Sequence, residues 1–480
     1  MKELLFPVLF VFGPLYGQNL SYFGLSNNGG VYSSLNNPAE GSSAKEWISF
    51  NLIGFGSSME SNILRLDLDY SPWQMMAGKP RRQHAATFTK PLYSTGERGM
   101  LESAVFINAN VLLPSIRINL HPEYSLFFYA RDRAIGNLQD LGSDMLPLLM
   151  EKQVPQQVEG IDMGIKMRMM GYREYAIGGS ARLWKRKESF VSAGFSIKRT
   201  LARFAYLMEL RDFTNTPNPS GTRVSAQYRL VTTDINVLNP GASGLIAPDG
   251  SPGKGWSFDL GFIYEHRPYH KQHPYRIHNR RGKNKNFRQR AEILYDYRIG
   301  ISVSDLGHMA FNGPGVSDNE YQYSGEFEAM AVPSDTHKLK DWTDASTVLS
   351  SSNSITFKLP GTLNFFFDYR LSQFWFVHFF YQQNLRNREK IENLYLPSSL
   401  SCLIRRESRF FTFGIPLRFV PQSGNLNAGF LVQSGPFFIG TNNLLVLFQR
   451  QSYSLSGYAG LCFRIPYKRD PTMENFRAFR

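Results

Sequence analysis

The sequence predicts an all-β protein. It reads as a transmembrane antiparallel β-barrel of about fourteen strands, with room for sixteen, carrying a polar N-terminal arm or plug. Three observations predict this. Strand-like segments put aromatic residues on one side and charges on the other, the chain begins with a secretory leader, and no later stretch could cross a bilayer as a helix.

The first observation is plainest in 362–382, TLNFFFDYRLSQFWFVHFFYQ. Read with a period of two, Leu363, Phe365, Phe367, Tyr369 and Leu371 share one face. Asn364, Asp368 and Arg370 share the other, with Phe366 the exception. After the polar break at Ser372 and Gln373, Trp375, Val377, Phe379 and Tyr381 oppose Phe376, His378, Phe380 and Gln382. That is a pair of strands joined by a tight turn. A soluble sandwich could bury the apolar face, but the ionisable face needs water. Lipid outside and a wet lumen inside meet both demands.

The N-terminus reads MKELLFPVLFVFGPLYGQN. Lys2 supplies the positive end, Leu4 to Phe12 the apolar core, and Leu15-Tyr16-Gly17 a cleavage site before Gln18, so 1–17 is read as a signal peptide. Every later apolar run is interrupted well short of about 18 residues, so any membrane crossing is made by strands. The 38 Phe, 24 Tyr and 6 Trp suit a lipid-facing belt. The net charge of +14 is carried by basic groups set singly in strands or gathered in loops. A basic rim near anionic lipopolysaccharide, or a basic lumen, accounts for it without nucleic acid. Cys402 and Cys462 are the two cysteines, and spacing leaves their pairing open.

In chain order, 18–42 is a polar arm or plug with Tyr22, Phe23, Leu25 and Val31 as anchors, 43–466 is the barrel and 467–480 a basic tail. The first hairpin is expected at 47–56 and 63–70, where Arg65, Asp67 and Asp69 oppose Leu64, Leu66, Leu68 and Tyr70. Lumen wall and solvent face fit that pattern equally. Strands follow at 104–113, 116–120 and 124–130, then a short amphipathic helix on Ile135, Leu138, Leu141 and Met145. In 190–199 the small residues Ser192, Gly194 and Ser196 suggest crowding against something inside the barrel, or a bulge. Residues 201–210 alternate weakly enough to leave helix open.

The strand 256–267 sets Trp256, Phe258, Leu260, Phe262 and Tyr264 against Ser257, Asp259, Gly261, Glu265 and Arg267. The basic stretch 266–290 holds His266, His270, His273 and His278, without carboxylate or thiolate company, and reads as a polyanion-facing loop rather than a metal site. In 291–304, Tyr295, Tyr297, Ile299, Ile301 and Val303 oppose Asp296 and Arg298. A long polar excursion, irregular or partly helical, is expected at 305–354, and a basic loop at 386–390. Further strands are read at 399–405, 410–419, 427–433, 444–449 and 458–465. The candidate lumen-facing charges are therefore Arg65, Asp67, Asp69, Asp259, Glu265, Arg267, Asp296, Arg298, Asp368 and Arg370.

No nucleophile elbow, HExxH, phosphate-binding loop or zinc knuckle is present. Arg65 beside Asp67 and Asp69 makes ion pairing the simpler use of those carboxylates. The reading is non-enzymatic, with no catalytic residue, metal or cofactor expected.

The ordered motifs NNPAEGS, GWSFDLGFIYEHRP (255–268), GISVSDLG (300–307), KLPGTLNFFFDYRL (358–371), IRRESRFFTFGIPL (404–417) and QSGPFFIGTNNLL (433–445) span nearly all of the mature chain. Together they resemble the DUF5723 family of Bacteroidota outer-membrane proteins, similar in turn to FadL-like and PorV-like barrels. The resemblance implies an outer-membrane barrel of FadL-like character, with Asn37, Pro38 and Ala39 at the position where such proteins end their plug arm. FadL-like transporters carry hydrophobic compounds past an N-terminal plug, and PorV-like members act in type IX secretion as partners for exported proteins. The expected function is thus a channel or transporter for small or hydrophobic compounds. The alternative is a non-catalytic structural subunit of a surface secretion or assembly complex, and a secreted β-sheet adhesin is disfavoured. Outer-membrane lipid and lipopolysaccharide are the expected surroundings, with an envelope protein complex as a further partner. A transporter should show a pocket beside the arm, and a structural subunit a blocked lumen.

Overall fold

The computed structural model describes residues 21–44, 46–67, 85–88, 104–140 apart from Pro122, 165–218, 221–233, 252–268, 277–278, 284–285, 295–327, 345–449 apart from Arg409, and 451–466. Residues 1–17, read above as a signal peptide, Asp69, most of the histidine-rich stretch and the tail 467–480 lie outside these residues.

Fourteen antiparallel strands close into a ring. They are β1 (Glu46–Ser61), β2 (Ala104–Leu112, resumed as Ser115–His121), β3 (Tyr124–Gln139), β4 (Ile165–Arg186) and β5 (Ser189–Asn218). Next come β6 (Gly253–His266), β7 (Tyr297–Asn312), β8 (Ser354–Lys358, resumed as Thr362–Arg370), β9 (Trp375–Asn384) and β10 (Ser399–Glu407). The ring ends with β11 (Phe411–Val420), β12 (Asn425–Ala428, resumed as Phe430–Ser434), β13 (Phe437–Thr441) and β14 (Ser454–Pro466). Pro114 and Pro360, which have no N–H to give a ladder, mark the interruptions in β2 and β8. Closure is made by β1, which pairs with β14 (Gly54↔Gly460) on one side and with β2 (Gly54↔Leu112) on the other. A closed ring leaves no backbone edge unpaired.

The faces follow the two-residue period. Along β6, Trp256 (48% exposed), Phe258, Leu260 and Phe262 point outward, and Ser257, Asp259 and Gly261 are buried inward. In β8, Phe365 and Tyr369 are outward while Asn364 and Asp368 are inward. Phe366, the odd aromatic on the polar face, lies opposite Gly300 of β7 and covers the space that glycine leaves bare. Large apolar side chains exposed around the outside make a surface suited to hydrocarbon rather than water.

One sector of the wall is taller than the rest. The distal part of β5 pairs with Gly221–Thr233, which pairs with Val316–Phe327, which pairs with Thr347–Ser352. Residues 201–210 are therefore strand, and much of 305–354 is ordered wall rather than irregular or helical. β3 likewise runs on to Gln139 where a helix was expected, because β2 and β4 supply ladder partners on both sides (Ala104↔Gln139, Gln139↔Lys166). Residues Leu444–Leu447 form a 3-10 turn instead of a strand.

The expected first hairpin is also corrected. Leu64–Asp67 pairs with Ala85–Phe88 and Gln451–Ser452 in a separate small sheet, because both edges of β1 are already taken by β14 and β2. Arg65 and Asp67 are therefore not part of the lumen wall. Alternation marked them correctly as strand, but alternation does not say which sheet a strand joins.

The ring has a short-turn end and a long-loop end. Tight turns join β2 to β3, β4 to β5, β8 to β9, β10 to β11 and β12 to β13 at one end. Gly435, at φ 58°, makes the last of these. Arg267 and Tyr295, which bracket the histidine-rich stretch, are at this same end. That β6–β7 connection apart, the long connections leave from the other end.

Candidate functional site: a lumen filled from both sides

Residues 21–44 lie within the ring and touch its inner face on nearly every side. They form two short helices, α1 (Ser21–Gly24) and α2 (Val31–Asn36), and a 3-10 turn (Pro38–Ser43). None is long enough to be stable alone, so packing against the wall holds them. Phe23 stacks on Phe438 of β13 at 4.1 Å, and Tyr32 meets both rings edge-on. The hydroxyls of Tyr22 and Ser401 on β10 share a 2.7 Å hydrogen bond, and Tyr32 donates to Asn51 on β1. Ser49 of β1 accepts from the Val31 N–H at 2.9 Å, and Arg117 of β2 donates to Ser33 at 2.7 Å. The four anchors Tyr22, Phe23, Leu25 and Val31 are all buried.

Asn37-Pro38-Ala39 is seated against β5, β6 and β7. Asn37 caps the 3-10 turn by accepting from the Ala39 N–H at 2.9 Å, and its amide donates to the Phe262 and Ile301 carbonyls at 3.2 Å each. Two wall glycines make room for it. A Cβ on Gly261 would strike Asn37, and one on Gly194 would strike the backbone of Pro38 and Ala39. Of the small inward residues of 190–199, Gly194 thus faces the N-terminal segment, while the Ser196 hydroxyl donates to Asp259 of β6 at 2.7 Å. Gly194→Val is expected to displace this segment at a cost of about 1–3 kcal/mol, read as protease cleavage within 21–44 while the barrel band stays folded. Protection equal to wild type would contradict it.

The inner charges meet one another instead of water. Asp368 (0% exposed) accepts from Arg298 at 2.9 Å, from Arg405 at 2.7 and 2.9 Å, and from the Tyr295 hydroxyl at 2.7 Å. Arg298 reaches on to Glu40 of the N-terminal segment at 2.8 Å, and Arg405 to Glu407 at 2.7 Å. Asn27 donates to Glu407 through its backbone and side chain, both at 2.9 Å. The His378 ring stacks on Phe366 at 5.2 Å, with Nδ1 3.6 Å from Asp368. Burial pushes the Glu40 carboxyl up from its ordinary value, and Arg298 pulls it back. A second network joins β3 to β7. Lys198 bridges Asp259 (2.7 Å) and Asp305 (2.6 Å), Arg133 meets Asp305 at 2.6 Å, and Arg131 meets Glu174 at 2.5 Å. Asp305 sits at φ 58°, a region Asp tolerates better than most residues, and its N–H donates to Asp259 at 2.8 Å.

Of the expected lumen charges, Asp259, Glu265, Arg267, Arg298 and Asp368 are buried on the inner side, with Glu265 and Arg267 paired to each other. Asp296 and Arg370 sit half-buried at the short-turn end, where Arg370 donates to the Ser372 carbonyl at 3.2 Å. These charges are buried against one another and against the N-terminal segment, which occupies the lumen expected to be open around them. Lys198, Arg405, Glu407 and Glu40 complete the networks without having been singled out in the sequence. The available signal was a charge at an inward position of a strand whose outward face is largely apolar, as with Arg405 and Glu407 in SLSCLIRRE.

The long-loop side is closed by residues 385–398, which fold back into the ring. Ile391, Leu394 and Leu396 pack against Met309, Phe311, Val316, Ile355 and Phe357 of the taller wall. Tyr395 packs on Phe106 at 5.6 Å. Arg168 of β4 lies over the Tyr395 ring at 5.4 Å and donates to the Asn393 and Arg388 carbonyls at 3.1 and 2.7 Å. Arg229 holds Glu392 at 2.6 Å; burial favours the neutral acid, but the Arg229 contact outweighs it and keeps the carboxyl below its usual range. The signal for this loop was the apolar run in IENLYLP directly after the basic residues 386–390. Between the loop and the N-terminal segment remains a cavity of about 40 Å³, lined by Tyr32 and Asn36 below, Leu396 above, and Arg131, Lys198 and Asn364 at the sides. That is room for a few waters.

Among the described residues, no group of His, Cys, Asp or Glu is placed to hold a metal. Cys402 and Cys462 are both free thiols, the latter buried within 3.5 Å of Ser49.

The family model for a family of unknown function, DUF5723, matches residues 38–442. The chain belongs to DUF5723. The matched region opens at Pro38, in the turn seated on Gly194, and runs through the β13 strand. No curated protein matches this DUF5723 chain. Among solved structures, a deletion mutant of the TodX monoaromatic hydrocarbon channel is similar over 91% of this chain and 94% of its own, at 9% identity and a TM-score of 0.44. The Pseudomonas putida toluene transporter TodX is 10% identical over 90% and 91%, with a TM-score of 0.38. A Pseudomonas aeruginosa FadL homologue is 10% identical over 90% and 94%, with a TM-score of 0.21. Likenesses this distant do not bear on what a DUF5723 barrel carries.

Proposed function

We propose that this chain is an outer-membrane channel for small or hydrophobic compounds, closed in the present state by residues 21–44 below and 385–398 above. The observation that supports it most is the layering of the lumen. The loop 385–398 occupies an apolar compartment lined by Met309, Phe311, Ile355 and Phe357, and beneath it lies the polar cavity adjoining Tyr32 and Asn36. Withdrawal of the loop would leave an apolar pocket opening toward the long-loop end, the kind of concave site that takes small ligands. The short turns and long loops orient that end toward the cell exterior.

The loop is the element to test first. Arg168→Ala removes two hydrogen bonds to the loop backbone and the cation over Tyr395. In a barrel lacking residues 21–44, it is expected to speed solute entry in a proteoliposome swelling assay several-fold over the same deletion with Arg168 intact, with the folded band in a heat-modifiability gel unchanged. Equal swelling by the two folded deletion variants would count against the loop as gate.

The filled lumen also suits a second reading, a non-conducting structural subunit of an envelope secretion or assembly complex. Gentle detergent extraction separates the two: a stoichiometric complex supports the subunit reading, and a consistently lone barrel opposes it.

A further inference from the structure

The outer face of the taller sector carries a basic patch that neither the lumen nor the channel reading uses. The register places Tyr175, Arg199, Trp256, His308 and Lys358 side by side on five neighbouring strands, β4 to β8. Tyr175, Arg199, Trp256 and Lys358 each stand between buried inward residues, and Trp256, His308 and Lys358 are exposed. Arg199 lies over the Trp256 ring at 4.9 Å, which holds its guanidinium against the wall surface. One outward position further toward the long loops are Arg173 and the exposed Lys254, both in register with Leu201, with Arg203 beside them. The acid among them, Asp132, is engaged by Arg173 at 2.6 Å and by Arg203 at 3.0 Å. One outward position toward the short turns the character changes completely. Ile177, Ile197, Phe258 and Leu306 lie in register there, and Ile177, Phe258 and Leu306 are exposed.

The switch from apolar to basic thus occurs at one rung. In each strand it lies roughly ten residues from the short-turn end, about the 9–11 residues that a tilted strand needs to cross hydrocarbon. Cations and a tryptophan at that level, on the long-loop side, meet the headgroups of the outer leaflet.

We propose that this patch, centred on Arg199, Lys254 and Lys358, binds the phosphorylated headgroup of an outer-leaflet glycolipid. The fork of Arg199 and the two ammonium groups complement phosphate oxygens, and the apolar rung beneath receives acyl chains. The proposal rests on membrane placement and is independent of conduction.

The test is retention of bis-phosphorylated lipid A by the full-length barrel after detergent exchange, counted by native mass spectrometry. Lys254→Gln with Lys358→Gln is the primary variant, since both side chains stand at the surface, and Arg199→Gln is added as a third change. Retention is expected to fall about tenfold or more in the triple variant. It should stay at wild-type level in a control, Arg186→Gln with Lys187→Gln, that removes charge at the short-turn end. Lipid A stripped of phosphate should be retained poorly by wild type. Undiminished retention by the double and triple variants, an equal fall in the control, or equal binding of the dephosphorylated lipid each overturns the proposal. A barrel that is folded and fractionates with the outer membrane yet retains no lipid A overturns this proposal alone and leaves the channel reading standing.

Discussion

Asp368→Ala is expected to destabilise the barrel by about 3–5 kcal/mol, the range for removing one partner from a buried ion pair. Asp368 stands between Arg298 and Arg405, both buried, and it also accepts from Tyr295. Its removal strands two buried guanidinium groups without their shared carboxylate. Glu40 and Glu407 still hold one side of each arginine, which keeps the loss from doubling. The measurement is the urea dependence of the folded band in a heat-modifiability gel, with the midpoint moving to lower urea. Replacing all three, Arg298→Met, Asp368→Leu and Arg405→Met, should recover part of the loss, because an apolar cluster of similar volume needs no counter-charge. A midpoint for Asp368→Ala equal to wild type would mean that this network does not hold the wall together.

Deleting residues 21–44 and replacing 385–398 with a short Gly-Ser link should together open the pore. Either change alone leaves one closure in place: the N-terminal segment blocks the short-turn half through Phe23, Tyr32 and the Glu40–Arg298 contact, and the loop blocks the long-loop half through Ile391, Leu394 and Tyr395. The double variant is expected to pass small sugars in a swelling assay at rates at least about tenfold above either single variant, as two independent barriers in series require. A folded double variant that stays impermeable would remove the channel reading.

Much of this architecture was legible because a barrel strand must satisfy two solvents at once. The alternation of Trp256 to Phe262 and of Phe365 to Tyr369 specified both the faces and the approximate strand number. The anchors Tyr22, Phe23, Leu25 and Val31 stood out as bulky residues in an otherwise polar arm. Pairing partners were not legible. Leu64–Asp67 has a clean strand pattern yet joins a side sheet, and 201–210 has a poor one yet lies in the longest wall strand, because ladder partners come from distant parts of the chain. Residues 386–390 read as a basic loop, and nothing in the local pattern showed that the apolar residues just after them, Ile391, Leu394 and Leu396, face into the ring.

By itself the sequence determined the two-faced strands, the closed all-β class and the Asn37-Pro38-Ala39 turn, since these rest on local alternation and on residues close in the chain. Only the tertiary structure decided how the interior is filled. Charges far apart in sequence, such as Glu40 with Arg298 and Lys198 with Asp305, become partners once the ring curves them toward a common centre, a pairing that local pattern does not encode.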